Sequence, residues 1–99
     1  MKVNINAVRF KTDKKLEDYI NDKIGKLNQY FDGVIGSEIT LRLDSNEKVK
    51  DKIVEIRVMI PGNDLYAKKE SKSFEEATTQ AVEAVKKQLT KYKEKVRGL

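Results

Sequence analysis

Four short stretches of this chain alternate apolar with polar residues. The first runs from Lys2 to Ala7, the next two cover Glu38–Asp44 and Val54–Ile60, and a shorter one runs from Leu65 to about Glu70. A period of two residues places every second side chain on the same face of a strand. Each stretch therefore predicts a β-strand with one buried face.

Two longer stretches repeat apolar residues every three or four positions. The first follows Thr12, a suitable N-cap, and reaches the natural stop Gly33. Its apolar positions are Leu16, Ile20, Ile24, Leu27 and Phe31. The second opens with Ser73 and Glu76, spaced as a capping box. Its apolar face comprises Phe74, Thr78, Ala81, Val85, Leu89, Tyr92 and Val96. Both stretches predict amphipathic helices, the second about six turns long.

The predicted order is β-α-β-β-β-α, an α+β fold in a single domain of 99 residues. A polar loop, Ser45–Lys52, joins the second and third strands, and Pro61–Asp64 supplies a turn. If the first two strands pair in parallel, the helix between them forms a right-handed crossover. Since each strand has one apolar face, both helices must share one face of a four-stranded sheet, as in double-stranded-RNA-binding domains. The other face, with Glu55, Arg57 and Tyr66, should contact water.

Composition argues against an enzyme. The chain has no Cys, His or Trp, which removes disulfides, thiolate and imidazole metal ligands, and the usual general base at neutral pH. Acidic residues cluster near the predicted helix N-termini, where capping and the helix dipole explain them. We therefore expect no catalytic residue, no metal and no cofactor. The alternating start of the chain predicts neither a signal peptide nor a membrane span, and so a cytoplasmic protein.

The positive charge is concentrated at the end of the second helix. Lys86–Arg97 holds six basic residues and one acid, a net charge equal to the +5 of the whole chain. At 100° per residue the basic residues divide into two rows flanking the apolar face. One row is Lys87, Lys91 and Lys95, and the other is Lys86, Lys93 and Arg97. Such rows suit a polyanion, although solubility and the helix dipole would also explain them.

The first helix gathers a matching basic row. Its members are Lys15, Lys23 and Lys26, interleaved with Tyr19 and Tyr30. If the helices lie side by side, a row from each would form one positive strip suited to a phosphate backbone. We expect Lys23 and Lys26 to form one wall of this strip, and Lys87, Lys91 and Lys95 the other. Tyr19, Tyr30 and Tyr92 are expected at the edge of the core rather than as base-stacking platforms.

Two segments carry a family resemblance that extends over nearly the whole chain. Lys26–Asp32 (KLNQYFD) and Gln88–Lys95 (QLTKYKEK) close the two helices and resemble the short ribosome hibernation promoting factors. That group includes the ribosome-associated inhibitor and is also known under the name sigma-54 modulation protein. The chain departs from the family pattern at Ser73–Glu75, where Asp-Met-Tyr is common, at Ala84, where lysine is common, and at Lys69, where a small residue is expected.

The resemblance implies a stationary-phase or stress factor that binds the small ribosomal subunit between its head and body. Against rRNA near the decoding centre it would block messenger RNA and the A- and P-site tRNAs, silence translation and favour inactive ribosome dimers. The same resemblance implies that the RNA-binding residues are Lys23, Lys26, Lys87, Lys91, Lys93 and Lys95. Secondary candidates are Lys15, Lys86 and Arg97. A short-form factor would lack the C-terminal dimerisation domain, be monomeric when free, and bind neither a small-molecule substrate nor a membrane.

Two alternatives remain open at this point. The helix-sheet-helix pattern would also suit a general double-stranded-RNA-binding module, although such domains lack the leading strand and carry basic residues at the start of the final helix. The second alternative is a regulator that binds another protein, either through the exposed sheet face or by recognising an acidic partner such as a polymerase subunit. Equal affinity for free duplex RNA and for ribosomes would favour the first alternative. Binding that survives RNase treatment would favour the second.

Overall fold

The computed structural model describes residues 2–31, 33–43 and 52–96. It has the predicted β-α-β-β-β-α order. The elements are β1 (Lys2–Ala7), α1 (Lys14–Tyr30), β2 (Gly36–Leu43), β3 (Lys52–Ile60), β4 (Asn63–Ser71) and α2 (Phe74–Val96). Most of the predicted loop Ser45–Lys52, together with Asp44 and Arg97, lies outside the described residues.

The four strands form one sheet in the order β1-β2-β3-β4. β1 pairs with β2 in parallel, with Ile5 beside Ile39, and the other pairs are antiparallel. Close approach of β1 depends on Gly36, because a Cβ at this position would lie 3.1 Å from the carbonyl oxygen of Lys2. A parallel pair needs a long connection, which α1 provides.

The β3–β4 hairpin closes in a shorter turn than the sequence predicts. Ile60 pairs with Asn63, so the turn consists of Pro61 and Gly62 alone. Proline presets its own φ, and Gly62 adopts a φ of 76°, in the left-handed region that glycine enters without strain. β4 therefore begins at Asn63, two residues before the expected Leu65.

The N-cap of α1 is Asp13, and the prediction of Thr12 was wrong by one residue. The Asp13 carboxylate accepts a hydrogen bond of 2.7 Å from the backbone N–H of Leu16. The Thr12 hydroxyl instead bonds the carboxylate of Glu17. Aspartate also places its negative charge at the positive end of the helix dipole.

The other helix boundaries differ in how well the sequence predicts them. α1 ends at Tyr30, and the extended φ of −144° at Phe31 terminates it before the expected stop at Gly33. At the start of α2, the Ser73 hydroxyl accepts a bond of 3.1 Å from the backbone N–H of Glu76, as the capping box predicts. α2 then continues for 23 residues, which is about six turns.

Both helices pack on the same face of the sheet, as predicted. The strands contribute Ile39, Leu41, Val54, Ile56, Val58, Ile60, Leu65 and Ala67 to the core. The helices contribute Leu16, Ile20, Ile24, Leu27, Ala77, Ala81, Val82, Val85 and Leu89. Burial of each large aliphatic side chain contributes roughly 1.5–3 kcal/mol. The opposite face is in contact with water, and Tyr66 on it is 52% exposed.

Candidate nucleic-acid interface

Two tyrosine-threonine hydrogen bonds hold α1 and α2 side by side. The hydroxyls of Tyr19 and Thr79 lie 2.7 Å apart, and those of Tyr30 and Thr90 lie 2.5 Å apart. Each pair is separated by 60 residues in the sequence. The two bonds are about three turns apart on both helices. The helices therefore run parallel in a constant register.

Each threonine of these bridges also bonds its own helix. Thr79 donates to the carbonyl of Glu75 at 3.1 Å, and Thr90 donates to the carbonyl of Lys86 at 3.0 Å. Because each threonine proton is used in this way, the tyrosine hydroxyl must be the donor across the interface. Tyr30 packs at the edge of the core, as predicted, and Tyr19 is half-buried between the two helices.

Tyr92 also lies at the core edge, as predicted. Its ring meets Phe31 edge to face with ring centroids 5.9 Å apart. Its hydroxyl points to the carbonyl of Pro61 at 3.4 Å. A ring held between α1, α2 and the hairpin turn is unsuited to stacking on a nucleotide base.

A shallow groove of about 170 Å³ separates the exposed sides of α1 and α2. Its floor is apolar, formed by Leu27 and Val82. Its walls carry Lys23, Lys26, Thr79, Glu83 and Lys86. We call this feature the interhelical groove. It brings together both α1 lysines predicted from the sequence and one α2 lysine that was only a secondary candidate.

Most lysines at the groove have a partner that restricts them. The Nζ atoms of Lys86 and Lys93 lie 5.0 and 4.5 Å from the ring centroid of Tyr30. The Nζ of Lys23 lies 5.4 Å from the ring centroid of Tyr19. Lys26 contacts Asp22 at 3.6 Å, an exposed ion pair that contributes little to stability.

The prediction of which α2 lysines face α1 across the positive strip was wrong. Lys87 lies on the flank of α2 that faces away from α1, beside Lys69 on β4. Lys91 and Lys95 follow Lys87 at four-residue spacing and so continue this flank. The α2 wall that faces α1 is formed by Lys86 and Lys93 instead. Helical phasing separates two flanks, but the side on which α1 packs decides which of them faces it.

Lys69, Lys87, Lys91 and Lys95 form what we call the outer flank. Within the described ranges none of them forms an ion pair or a ring contact, and all four are exposed. Lys69 is placed there by the sheet register, opposite Val54 and hence on the helix side of β4. Its position as an outer-flank residue could not be inferred from helical phasing, because it belongs to a strand.

The other two secondary candidates are not part of the described groove or outer flank, one by its position and one because it is outside the described residues. Lys15 is exposed in the first turn of α1 and does not line the interhelical groove. Arg97 lies outside the described residues. The described basic surface thus consists of the groove lysines and the outer flank.

The open face of the sheet carries charges that neutralise one another. Arg42 bonds Glu55 at 2.7 Å, and Arg57 contacts Asp64 at 2.5 Å and Glu38 at 3.9 Å. These arginines are therefore less available to phosphate than the outer-flank lysines. The sequence gives no sign of this network, because its pairs depend on the register between strands.

A tyrosine completes the network on the open face. The Tyr66 hydroxyl donates to Glu55 at 2.6 Å. This bond is the largest influence lowering the pKa of Glu55 below 4.5; Arg42 adds to it and desolvation opposes it. The same bond raises the pKa of Tyr66 above 10.0.

Neither a metal centre nor a membrane span is found in the described parts of the chain. Residues 2–31, 33–43 and 52–96 contain no group of three or more His, Cys, Asp or Glu side chains that would hold a metal ion. Over the same ranges, no helix has the length and apolar character needed to cross a bilayer.

Comparison with known proteins gives a consistent result. Residues 3–97 match the profile of the family described as "Sigma 54 modulation protein / S30EA ribosomal protein". A ribosome hibernation promoting factor from Pseudomonas putida is 28% identical over 99 residues, covering 100% of this chain and 93% of the relative. A ribosome hibernation promotion factor from Bacillus subtilis is 30% identical over 98 residues, which is 97% of this chain and 50% of that relative.

A solved structure supports the same fold. The structure of a ribosomal subunit interface protein from Coxiella burnetii has a TM-score of 0.84 and 22% sequence identity. The alignment covers 94% of this chain and 98% of that protein. The α+β fold with both helices on one sheet face is therefore shared.

Proposed function

The chain belongs to the sigma 54 modulation protein / S30EA ribosomal protein family, and on that premise we propose that it silences translation by binding rRNA of the small ribosomal subunit. The family includes ribosome hibernation factors, which are not enzymes. The observation that carries the proposal is the convergence of Lys23, Lys26 and Lys86 on one groove between two parallel helices.

The charge distribution supports an RNA backbone as the ligand. Lys23, Lys26 and Lys86 line the interhelical groove and Lys93 borders it beside Tyr30. The outer flank adds four lysines that form no ion pair with any described residue. Lysines act as flexible point charges, which suit phosphates spaced along a strand. The interhelical groove and the outer flank lie on opposite sides of α2, so the helix can contact phosphates along both sides. The open sheet face, with its paired charges, is left free.

The proposed mechanism is steric. The protein would occupy the channel between head and body of the small subunit, with its helices against rRNA near the decoding centre. There it would exclude messenger RNA and the A- and P-site tRNAs and favour inactive ribosome dimers. This mechanism makes and breaks no covalent bond, so it requires no catalytic group on the basic surface. The protein would act as a monomer in the cytoplasm, where ribosomes are found.

Co-sedimentation with purified small subunits at several salt concentrations tests the proposal. Each phosphate neutralised by a lysine releases counterions, so binding weakens with salt. If five lysines contact phosphate, the affinity should fall by about two to three orders of magnitude between roughly 50 and 200 mM salt. Salt-independent binding would contradict an rRNA interface.

Charge reversal locates the surface. We expect one triple variant, Lys23→Glu, Lys26→Glu and Lys86→Glu, to lose binding through the groove. A second triple variant, Lys87→Glu, Lys91→Glu and Lys95→Glu, should lose binding through the outer flank. The matched control is Lys2→Glu, Lys11→Glu and Lys68→Glu, which makes the same change in net charge at exposed positions outside both surfaces.

The outcomes separate the alternatives. If the groove variant or the outer-flank variant co-sediments with subunits at the wild-type level, the surface changed in that variant is not part of the binding site. An equal loss in the control would show that net charge alone is responsible. Equal affinity of the wild type for free duplex RNA and for subunits would favour a general duplex-binding module. In a cell-free translation assay, the wild type should inhibit and the groove variant should not.

A further inference from the structure

The ring of Tyr30 lies next to two lysines of the neighbouring helix. The Nζ atoms of Lys86 and Lys93 are 5.0 and 4.5 Å from its centroid. Lys93 also donates a hydrogen bond of 3.5 Å to the backbone carbonyl of Tyr30. These lysines are two turns apart on α2, and one aromatic side chain of α1 therefore holds both.

Tyr30 is itself held in place. Its hydroxyl bonds Thr90 at 2.5 Å, and Thr90 lies between the two lysines in the sequence of α2. Thr90 is anchored in turn by its bond to the carbonyl of Lys86. The ring thus has a fixed orientation relative to the helix that carries both cations.

We propose that Tyr30 is the positioning residue of the RNA-binding surface, holding Lys86 and Lys93 in place for phosphate before the RNA arrives. The inference rests on the proposed function. A lysine that is restricted before binding loses less rotamer freedom on contact with a phosphate, and preorganisation of this kind increases affinity. The two nearby ammonium groups also attract a phosphate more strongly to the space beside Tyr30 than one ammonium group would.

The ring does not compete with the phosphate for the ammonium groups. An ammonium group has three N–H donors, and contact with an aromatic face occupies only the side turned toward the ring. The remaining donors of Lys86, and those of Lys93 that do not bond the Tyr30 carbonyl, can bond phosphate oxygens. Tyr30 therefore acts through the lysines and need not touch the RNA.

Tyr19 provides an internal comparison. It makes the same hydroxyl bond to a threonine of α2, but among the described residues only Lys23, from its own helix, lies over its ring. Tyr19→Leu removes the corresponding tyrosine-threonine bond between the helices and should leave Lys86 and Lys93 in position.

The test measures affinity for small ribosomal subunits as a function of salt. In Tyr30→Leu the two lysines are no longer restricted and must be ordered when RNA binds, which should weaken binding by about 5-fold to 150-fold at a given salt concentration. The salt slope should stay at the wild-type value, because no charge has been removed. Tyr30→Phe, which keeps the ring and loses only the hydroxyl, should retain most of the affinity, and Tyr19→Leu should lose less than Tyr30→Leu.

A double-mutant cycle distinguishes positioning from general destabilisation. In a Lys86→Gln, Lys93→Gln background, Tyr30→Leu should have no further effect on binding. If it weakens binding there as much as in the wild type, the proposal is overturned. In the free wild-type protein, NMR should also show ring-current shifts of the Lys86 and Lys93 ε-methylene protons, and their absence would overturn it independently of any variant's stability.

The proposed function and this inference fail in different ways. If the wild type does not bind subunits, the proposed function is wrong. If the wild type binds in a salt-dependent manner and Tyr30→Leu binds equally well, only the role of Tyr30 is wrong.

Discussion

The side-chain amide of Gln88 bonds both backbone groups of Tyr66, accepting from its N–H at 3.3 Å and donating to its C=O at 2.7 Å. Tyr66 belongs to β4, the outermost strand on that side of the sheet. The amide therefore pairs one N–H and one C=O group at the edge of β4, as the backbone of a neighbouring strand would. Lys69 adds a charge to the same edge, and charges of this kind discourage pairing with another chain.

We expect Gln88→Ala to destabilise the fold and expose the edge of β4. Loss of two hydrogen bonds should lower the free energy of unfolding by about 1–2 kcal/mol, measured by urea denaturation. Light scattering should show stronger concentration-dependent association than for the wild type. Gln80→Ala on the same flank of α2 is the control, and equal effects of the two substitutions would argue against edge protection.

The bond between Tyr19 and Thr79 should couple the two helices energetically. In a double-mutant cycle of Tyr19→Phe and Thr79→Ala, we expect a coupling energy of about 0.5–1.5 kcal/mol in unfolding experiments. Thr79→Ser keeps the hydroxyl and should preserve most of the coupling. Additive effects of the two substitutions would show that the bond contributes nothing in solution.

The strands and helices could be predicted because their patterns are local. Alternation from Val54 to Ile60 identifies a half-buried strand wherever it pairs, and Ser73 with Glu76 marks a helix start without tertiary information. Adjacent candidates are harder to separate. Thr12 and Asp13 are both good caps, and only the backbone geometry of Asp13 decides between them.

The composition of the groove could not be predicted because it depends on packing between distant elements. The sequence gives two basic flanks on α2, but the position of α1 decides that Lys86 faces the groove and Lys87 does not. The pair of Arg42 with Glu55 likewise depends on register, since these residues are diagonal neighbours across β2 and β3. Such relations follow from the fold and not from periodicity.

The bond between Tyr66 and Glu55 should make stability depend on pH at both extremes. The folded pKa of Glu55 lies below 4.5, so its contribution is present above pH 4.5 and is lost as the pH falls through the folded pKa. The folded pKa of Tyr66 lies above 10.0, so its contribution is present below pH 10.0 and is lost as the pH rises through the folded value.

Tyr66→Phe should therefore flatten the fall in stability at both extremes, as measured by urea unfolding across the pH range. Tyr92→Phe is the matched control, because the Tyr92 hydroxyl faces a backbone carbonyl and no carboxylate. A Tyr66→Phe profile parallel to that of the wild type would contradict the linkage.

We expect the buried hydroxyl of Thr78 to destabilise the fold. Thr78 is fully buried, and within the described residues its Oγ1 atom has no hydrogen-bond partner. Thr78→Val replaces the hydroxyl with a methyl group of similar size and similar helix propensity. We expect it to raise the free energy of unfolding by about 1 kcal/mol, because an unpaired buried hydroxyl costs roughly 1–3 kcal/mol. Thr78→Ser keeps the hydroxyl and removes the methyl group, so it should lower stability. A loss of stability in Thr78→Val would mean that the hydroxyl has a partner in solution.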